Sequence, residues 1–236
     1  MGNGHLNIDR VAFLGRTFAE YMDMFGLDRD ILSHGRILDC PAGPSSFAAE
    51  AGRAGFAVTA CDIQYGLSAD ALLEKGKEDI RHVFEKFDEV SHLYTWEYYK
   101  NKDEVITRRN MALGLFSEDY SRHAGQRYVY ARLPKLPFPD KAFSLVLSGH
   151  FLFLYGDRLD PDFHKACVKE LVRVCSSETR IFPFTGLDAK PYPYLEDVLA
   201  SISAEGAETE ICEVPLKFQL GSGRMIKISR GLQGGV

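Results

Sequence analysis

The chain is expected to fold as a mostly parallel, doubly wound α/β sheet, and three observations lead there. Short apolar strands alternate with helical patterns along most of the 236 residues, the rhythm of βαβ units. Two early strands, "ILD" at 37–39 and "FAVTACD" at 56–62, each end on an aspartate. Near the other end, strand-like runs at about 207–214 and 224–230 flank a GSG turn at 221–223 and read as an antiparallel hairpin. A sheet of this kind carries helices on both faces, so its strands are apolar on both sides.

Taken in order, residues 8–25 are expected to form a first helix. Val11, Leu14, Phe18, Tyr21, Met22 and Phe25 recur at steps of three and four, and Gly26 would end it. The segment ILDCPAGPSSFAAEAG (37–52) supplies the first strand, a proline-rich loop and the start of a helix that stops by Gly55. The second strand ends at Asp62, and RYVYA (127–131) is a short third strand. Residues 63–126 between them far exceed the roughly 20–25 residues of a loop–helix–loop crossover. Their helical runs, 77–90 and 103–117, with "SHLYTWEYYK" between, mark a helical insertion at the carboxyl end of the sheet. FSLVLSGHFLFLY (143–155) begins as a buried strand. Asp160, Pro161 and Asp162 then start a helix with an N-cap, a first-turn proline and an acid against the dipole. A strand at 179–184 and a helix at 193–204 precede the hairpin. The expected organisation is an N-terminal helical cap (1–35), a core (36–62 and 127–236) and an inserted lid (63–126).

Composition narrows the function. A net charge of −5 and a single arginine pair, Arg108-Arg109, leave no basic stripe for nucleic acid. No run approaches the ~20 apolar residues of a membrane span, and MGNGHLNIDR lacks the apolar core of a signal peptide. Five cysteines without a C-x-x-C pair argue against a zinc site and for reduced thiols in a cytoplasm.

In an open parallel sheet, ligands bind beyond the carboxyl ends of the strands, near the switch point. The proline loop and Asp62 both fall there. An acid ending the second strand suits two ribose hydroxyls, with turn capping as its plain alternative. The loop lacks the glycines that let a backbone approach a pyrophosphate, so a nucleoside cofactor without phosphates fits better. Ser45 and Ser46 are equally readable as helix caps. The match of Tyr98 and Lys102 to Y-x-x-x-K falls in the insertion and is read as chance.

The ordered segments ILDCPAGPSSF, VTACD, LPFPDKAFSLVLSGHFLFLY and ELVRVCSSETRIFP, with the closing hairpin, resemble a class I S-adenosylmethionine-dependent methyltransferase over most of residues 36–230. More narrowly, they resemble a bacterial and archaeal subgroup carrying "DCPAGPSSF" and "HFLFLY". The resemblance implies a Rossmann-like seven-stranded sheet of order 3-2-1-4-5-7-6 and S-adenosylmethionine as cofactor. It implies cofactor contacts from Asp39, Pro41, Ala42, Gly43, Ser45, Asp62, Ile63, Leu133 and Ser148, with Arg16 or Tyr21 reaching the cofactor carboxylate from the first helix. His150 and Tyr155 stand where the family places catalytic or substrate-contacting groups. The chain departs from the family's D-x-G-x-G-x-G loop, offering Pro41, Gly43 and Ser45 after Asp39. It has Ser144 for the family's aspartate and Arg132-Leu133-Pro134-Lys135 where an adenine-binding acid often stands.

The expected activity is methyl transfer to a small molecule, with His150 as candidate base and no metal. The rival reading is a non-catalytic methyltransferase-fold module acting through protein contacts. Tyr94, Trp96, Tyr98 and Tyr99, with Phe84 and Phe87, predict an enclosed pocket under the insertion for an apolar or flat acceptor; packing within the insertion itself is the plain alternative.

Overall fold

Ile37 and Leu38 are neighbours in the first strand, yet they pack into different cores. The same alternation separates Ala60 from Cys61 and Leu145 from Val146, as a strand's two-residue period requires. The computed structural model describes residues 4–230; residues 1–3 and 231–236, within the expected cap and core, lie outside the described residues. The strands are β1 (Ile37–Asp39), β2 (Val58–Asp62), β3 (Tyr128–Tyr130), β4 (Phe143–Gly149), β5 (Cys175–Phe182), β6 (Ala207–Glu213) and β7 (Arg224–Arg230). They form one sheet of order β3-β2-β1-β4-β5-β7-β6. The β1, β2, β3, β4 and β5 pairings are parallel, and β7 runs antiparallel to both β5 and β6. This is the Rossmann-like order of class I methyltransferases.

One face carries α1 (Phe18–Met24), α2 (Arg29–Ser33), α3 (Phe47–Arg53), α4 (Ala69–Lys86) and α5 (Lys102–His123). The other carries α6 (Pro161–Val174) and α7 (Leu195–Ser203). Asp160 caps α6, accepting from the Asp162 amide at 2.7 Å, with Pro161 in the first turn. In the 63–126 stretch, α4 and α5 extend beyond the periodic runs seen in the sequence. Gly76 lets them close: a Cβ there would lie 2.5 Å from Leu113. No described helix is long and apolar enough to cross a membrane.

The expected helix over 8–25 is corrected: only Phe18–Met24 is helical. Thr17 and Glu20 form a reciprocal capping box that starts the helix there. Residues before it run as a non-helical strap over the sheet. Its amides are committed elsewhere, Ala12 to the Tyr155 hydroxyl at 2.9 Å and Phe13 to Asp79 at 2.8 Å. Gly15 allows the strap to touch the proline loop, since a Cβ would come within 2.0 Å of the Pro44 carbonyl oxygen. The helical apolar spacing fails over the strap, where Val11 is exposed and it is Leu6, Ile8 and Phe13 that an extended segment buries against the core.

Candidate functional site

The loop after β1 has no backbone donor to spare. The Cys40 amide goes to Leu147, Ala42 to Cys61, Ser45 to Ala42 and Ser46 to Arg16. The Gly43 amide donates to Asp62 Oδ2 at 3.0 Å, and Pro41 and Pro44 have none. Gly43 holds the left-handed conformation, φ 55°, which glycine adopts freely. Tyr65 then fixes it by donating its hydroxyl to the Gly43 carbonyl at 2.6 Å.

This loop borders a cavity of about 450 Å³ at the carboxyl ends of four strands. Pro41, Ala42 and Gly43 line it after β1, Asp62 and Ile63 at the end of β2, Leu133 after β3, and His150 after β4. Its size falls within the ~300–1,000 Å³ of small-molecule sites. Asp62 also caps the turn that follows it, taking the Gln64 amide on Oδ1 at 2.8 Å. The turn-capping and cavity-lining readings of Asp62 therefore describe one carboxylate. Burial raises its pKa, while the Gln64 and Gly43 amides hold it down. Each carboxylate oxygen keeps lone-pair capacity beyond these single bonds.

Other sequence-predicted residues lie apart from this cavity. Asp39 is fully buried and receives the Tyr21 hydroxyl on both oxygens, at 3.1 and 3.0 Å. Burial pushes its pKa up to about 8, Tyr21 draws it down and the charge of Asp62 adds to the rise. Tyr21, stacked on Phe47 at 4.5 Å, is thereby spent on Asp39. Ser45 fastens the strap: its hydroxyl donates to the Arg16 carbonyl and accepts from the Phe47 amide, both at 3.1 Å. Ser148 is buried in β4 with an unpartnered hydroxyl. These four face the core: Asp39 and Ser148 sit within strands, Ser45 behind the loop, and Tyr21 on the inner side of α1.

Arg16 faces a second chamber of about 90 Å³. This chamber lies under the insertion, walled by the strap, α4, α5 and the segments after β4, β5 and β6. Ala12, Leu14 and His150 line both spaces. Tyr155 lines the chamber, and its hydroxyl is committed to the Ala12 amide. Burial raises the Tyr155 pKa, against the lowering effect of that amide and of Arg16. His150 has φ 52°, unusual for a residue with a Cβ. Its Nδ1 is buried without a partner. Burial, then the charges of Arg16 and Arg109, hold its pKa well below the usual histidine range, so the ring is neutral.

Of the insertion's aromatics, Tyr94, Phe84 and Phe87 line the chamber. Trp96 does not: it is 41% exposed and packs on Phe87 and Phe218 from outside. Tyr98 donates to Asp23 at 2.5 Å, and Tyr99 is buried, bonded to Glu20 and Arg109. Sequence reasoning missed Arg109, Lys75 and the strap. Lys75 lines the larger cavity and pairs with buried Asp79 at 2.9 Å. The T-x-x-E signal at Thr17 to Glu20 could have located the helix start and so exposed the strap; Arg109 carries no local signal.

No protein-family model matches the chain. Among solved structures, a SAM-dependent methyltransferase of Methanosarcina mazei is similar at 14% identity, with 86% of this chain and 96% of that one covered and a TM-score of 0.48. One from Thermotoga maritima, described as a possible histamine N-methyltransferase, is 11% identical over 89% of each chain, TM-score 0.46. A TehB-like SAM-dependent methyltransferase of Corynebacterium glutamicum is 16% identical, covering 84% and 80%, TM-score 0.45. The uncharacterized protein MJ0045 of Methanocaldococcus jannaschii is 35% identical over 230 residues, 96% of this chain and 99% of its own. This chain belongs to the family of that archaeal protein, on a sheet with the class I methyltransferase strand order.

Proposed function

We propose that the protein is an S-adenosylmethionine-dependent methyltransferase acting on a small molecule. One observation carries the reading: a nucleoside-sized cavity at the strand ends and a second chamber adjoin through His150, and the carboxylate of Asp62 lines the first. The residues fit the cofactor. The loop amides are all consumed within the fold, so a pyrophosphate would find no backbone cradle, whereas an uncharged nucleoside needs none. Asp62 would take the ribose hydroxyls, the Leu133 segment would border the base, and Pro41 to Gly43 would meet the remainder by shape. When bound, the cofactor supplies an electrophilic methyl group.

The chain's own contribution is orientation and exclusion of water. Holding an acceptor in line is worth roughly 7–11 kcal/mol of barrier. The strap and the 63–126 helices act as the lid. Neutral His150 can accept a hydrogen bond from the acceptor at the junction, but its lowered pKa makes it a weak base, so orientation carries the larger share of the effect. Tyr155 positions the strap by receiving the Ala12 amide. Five free cysteines, four of them buried, suit a reducing, cytoplasmic setting.

Calorimetry with S-adenosylmethionine, S-adenosylhomocysteine and NAD tests the reading. Binding of the first two and not of NAD is expected. No binding of either sulfur compound would overturn the assignment and favour a module working through protein contacts.

A further inference from the structure

The smaller chamber is mostly apolar, with Gln219 and Ser222 among its few polar lining groups. Phe84, Phe87, Leu154, Leu216 and Phe218 form its body. Among the described residues its charged lining groups are two arginines, and no acid lines it. Arg109 is matched: it donates to Glu20 at 2.6 Å, and both side chains are almost wholly buried. Arg16 is not matched. Among the described residues its guanidinium has one acceptor, the Leu14 carbonyl at 3.0 Å, and no ion pair. Two arginines against one glutamate leave one positive charge over: Arg16 is half-buried and feels the charge of Glu20 without pairing with it, so part of its charge is left to a ligand in the chamber. Burial, then the charge of Arg109, pushes the Arg16 pKa down to about 10, so it stays cationic at neutral pH.

We propose that this chamber binds the methyl acceptor and that the acceptor is a small organic carboxylate with an apolar body, its carboxylate held by Arg16. The idea deepens the methyltransferase reading and rests on it as far as the ligand's being methylated is concerned. A singly charged anion balances the single surplus cation, and a planar carboxylate matches the guanidinium fork. A phosphate dianion would leave a net negative charge among the aromatic walls. The volume of about 90 Å³ admits only a small body. Arg16 lines this chamber and not the larger cavity, so its charge serves the acceptor and not the cofactor.

Calorimetry with benzoate and isobutyrate, against benzamide and isobutyramide, tests the proposal on the full chain. The carboxylates should bind at least about tenfold more tightly than their amides, the least that a charge-assisted bond provides. Arg16→Met should erase that preference, Arg16→Lys should keep part of it, and neither should change S-adenosylhomocysteine affinity by more than about twofold. Equal binding of acids and amides by the natural protein overturns the proposal without any variant. So does an Arg16→Met protein that retains carboxylate binding, or one that loses S-adenosylhomocysteine instead, which would give the guanidinium to the cofactor. If the carboxylate preference holds while S-adenosylhomocysteine fails to bind, the anion site stands and the methyltransferase reading falls.

Discussion

The larger cavity and the smaller chamber share Ala12, Leu14 and His150, yet they are assembled in opposite ways. The larger one is built mainly from residues that directly follow β1, β2, β3 and β4, local strand-to-loop steps closed over by the strap, Lys75 and the start of α6. The smaller one draws on the strap, the two inserted helices and the segments after β4, β5 and β6, which lie far apart in the chain. Their polar characters differ as well. The first sets Asp62 together with Lys75 and Arg132, beside a loop whose amides are consumed; the second has two arginines and no acid in its lining, with Glu20 bonded to Arg109 behind it. On the proposed function, a common fold would supply the cofactor side, while long-range packing would supply the acceptor side and its specificity.

The largest effect is expected where the chamber's charge is held. Arg109→Met leaves Glu20 buried without its partner; burial pushes that carboxyl up, but Arg109, the Thr17 amide and Tyr99 bring it to about 2. Loss of about 3–5 kcal/mol in urea unfolding is expected. Glu20→Gln combined with Arg109→Met should recover most of it, since neither charge is then left alone. Additive losses in the double variant would show that packing, and not charge pairing, dominates.

Asp62→Ala tests the other space. It should weaken S-adenosylhomocysteine binding by about 1.5–3 kcal/mol, the range for bonds to a charged group, and leave benzoate binding in the chamber unchanged. Unchanged cofactor affinity would reduce Asp62 to its capping of Gly43 and Gln64. Equal losses in both spaces would mean that they are not independent.

Asp39 gives a pH signature with a defined sign. Its folded pKa of about 8 lies above the ordinary 3.8, so the folded state keeps a proton that the unfolded state loses. Its contribution is complete below pH 4, declines by up to about 1.4 kcal/mol per unit as pH rises, and is gone above 8. Asp39→Asn keeps an acceptor for Tyr21 without the titration. Its stability relative to the natural protein should therefore rise from pH 5 to pH 8 and level off beyond. A pH-independent difference would refute the raised pKa.

The smallest effect belongs to Tyr155. Tyr155→Phe removes the acceptor for one amide of the strap and should cost about 0.5–1.5 kcal/mol, with faster hydrogen exchange at Ala12. The pH profile of turnover should not move. A lost alkaline or acidic limb would instead make this hydroxyl a participant in proton transfer.

How far the sequence could be read follows the same division between local and distant. Asp62, Pro41, Ala42, Gly43, Ile63 and Leu133 were locatable because each stands at or just past a strand end, and a parallel sheet presents strand ends to ligands. Asp39 stands at a strand end too, but Tyr21 arrives from α1 and buries it, an event no window of sequence contains. Arg16 and Tyr21 were both expected on the first helix; the structure puts Arg16 on the strap and Tyr21 in the core, because the helix begins after Thr17. That start was encoded locally in Thr17 and Glu20, whereas the apolar spacing of Val11, Leu14 and Phe18 pointed to a longer helix.

The sequence by itself determined the strand–helix alternation, the two-sided burial of the strands and the closing hairpin. Each follows from short-range periodicity and turn chemistry, which act over a few residues. Tertiary structure alone decided the pairing of Glu20 with Arg109, the solitary charge of Arg16 and the place of His150 between two spaces. Those depend on which distant segments meet and on how much water they exclude. Charge balance in a buried space is a sum over all its walls, and no single segment carries that sum.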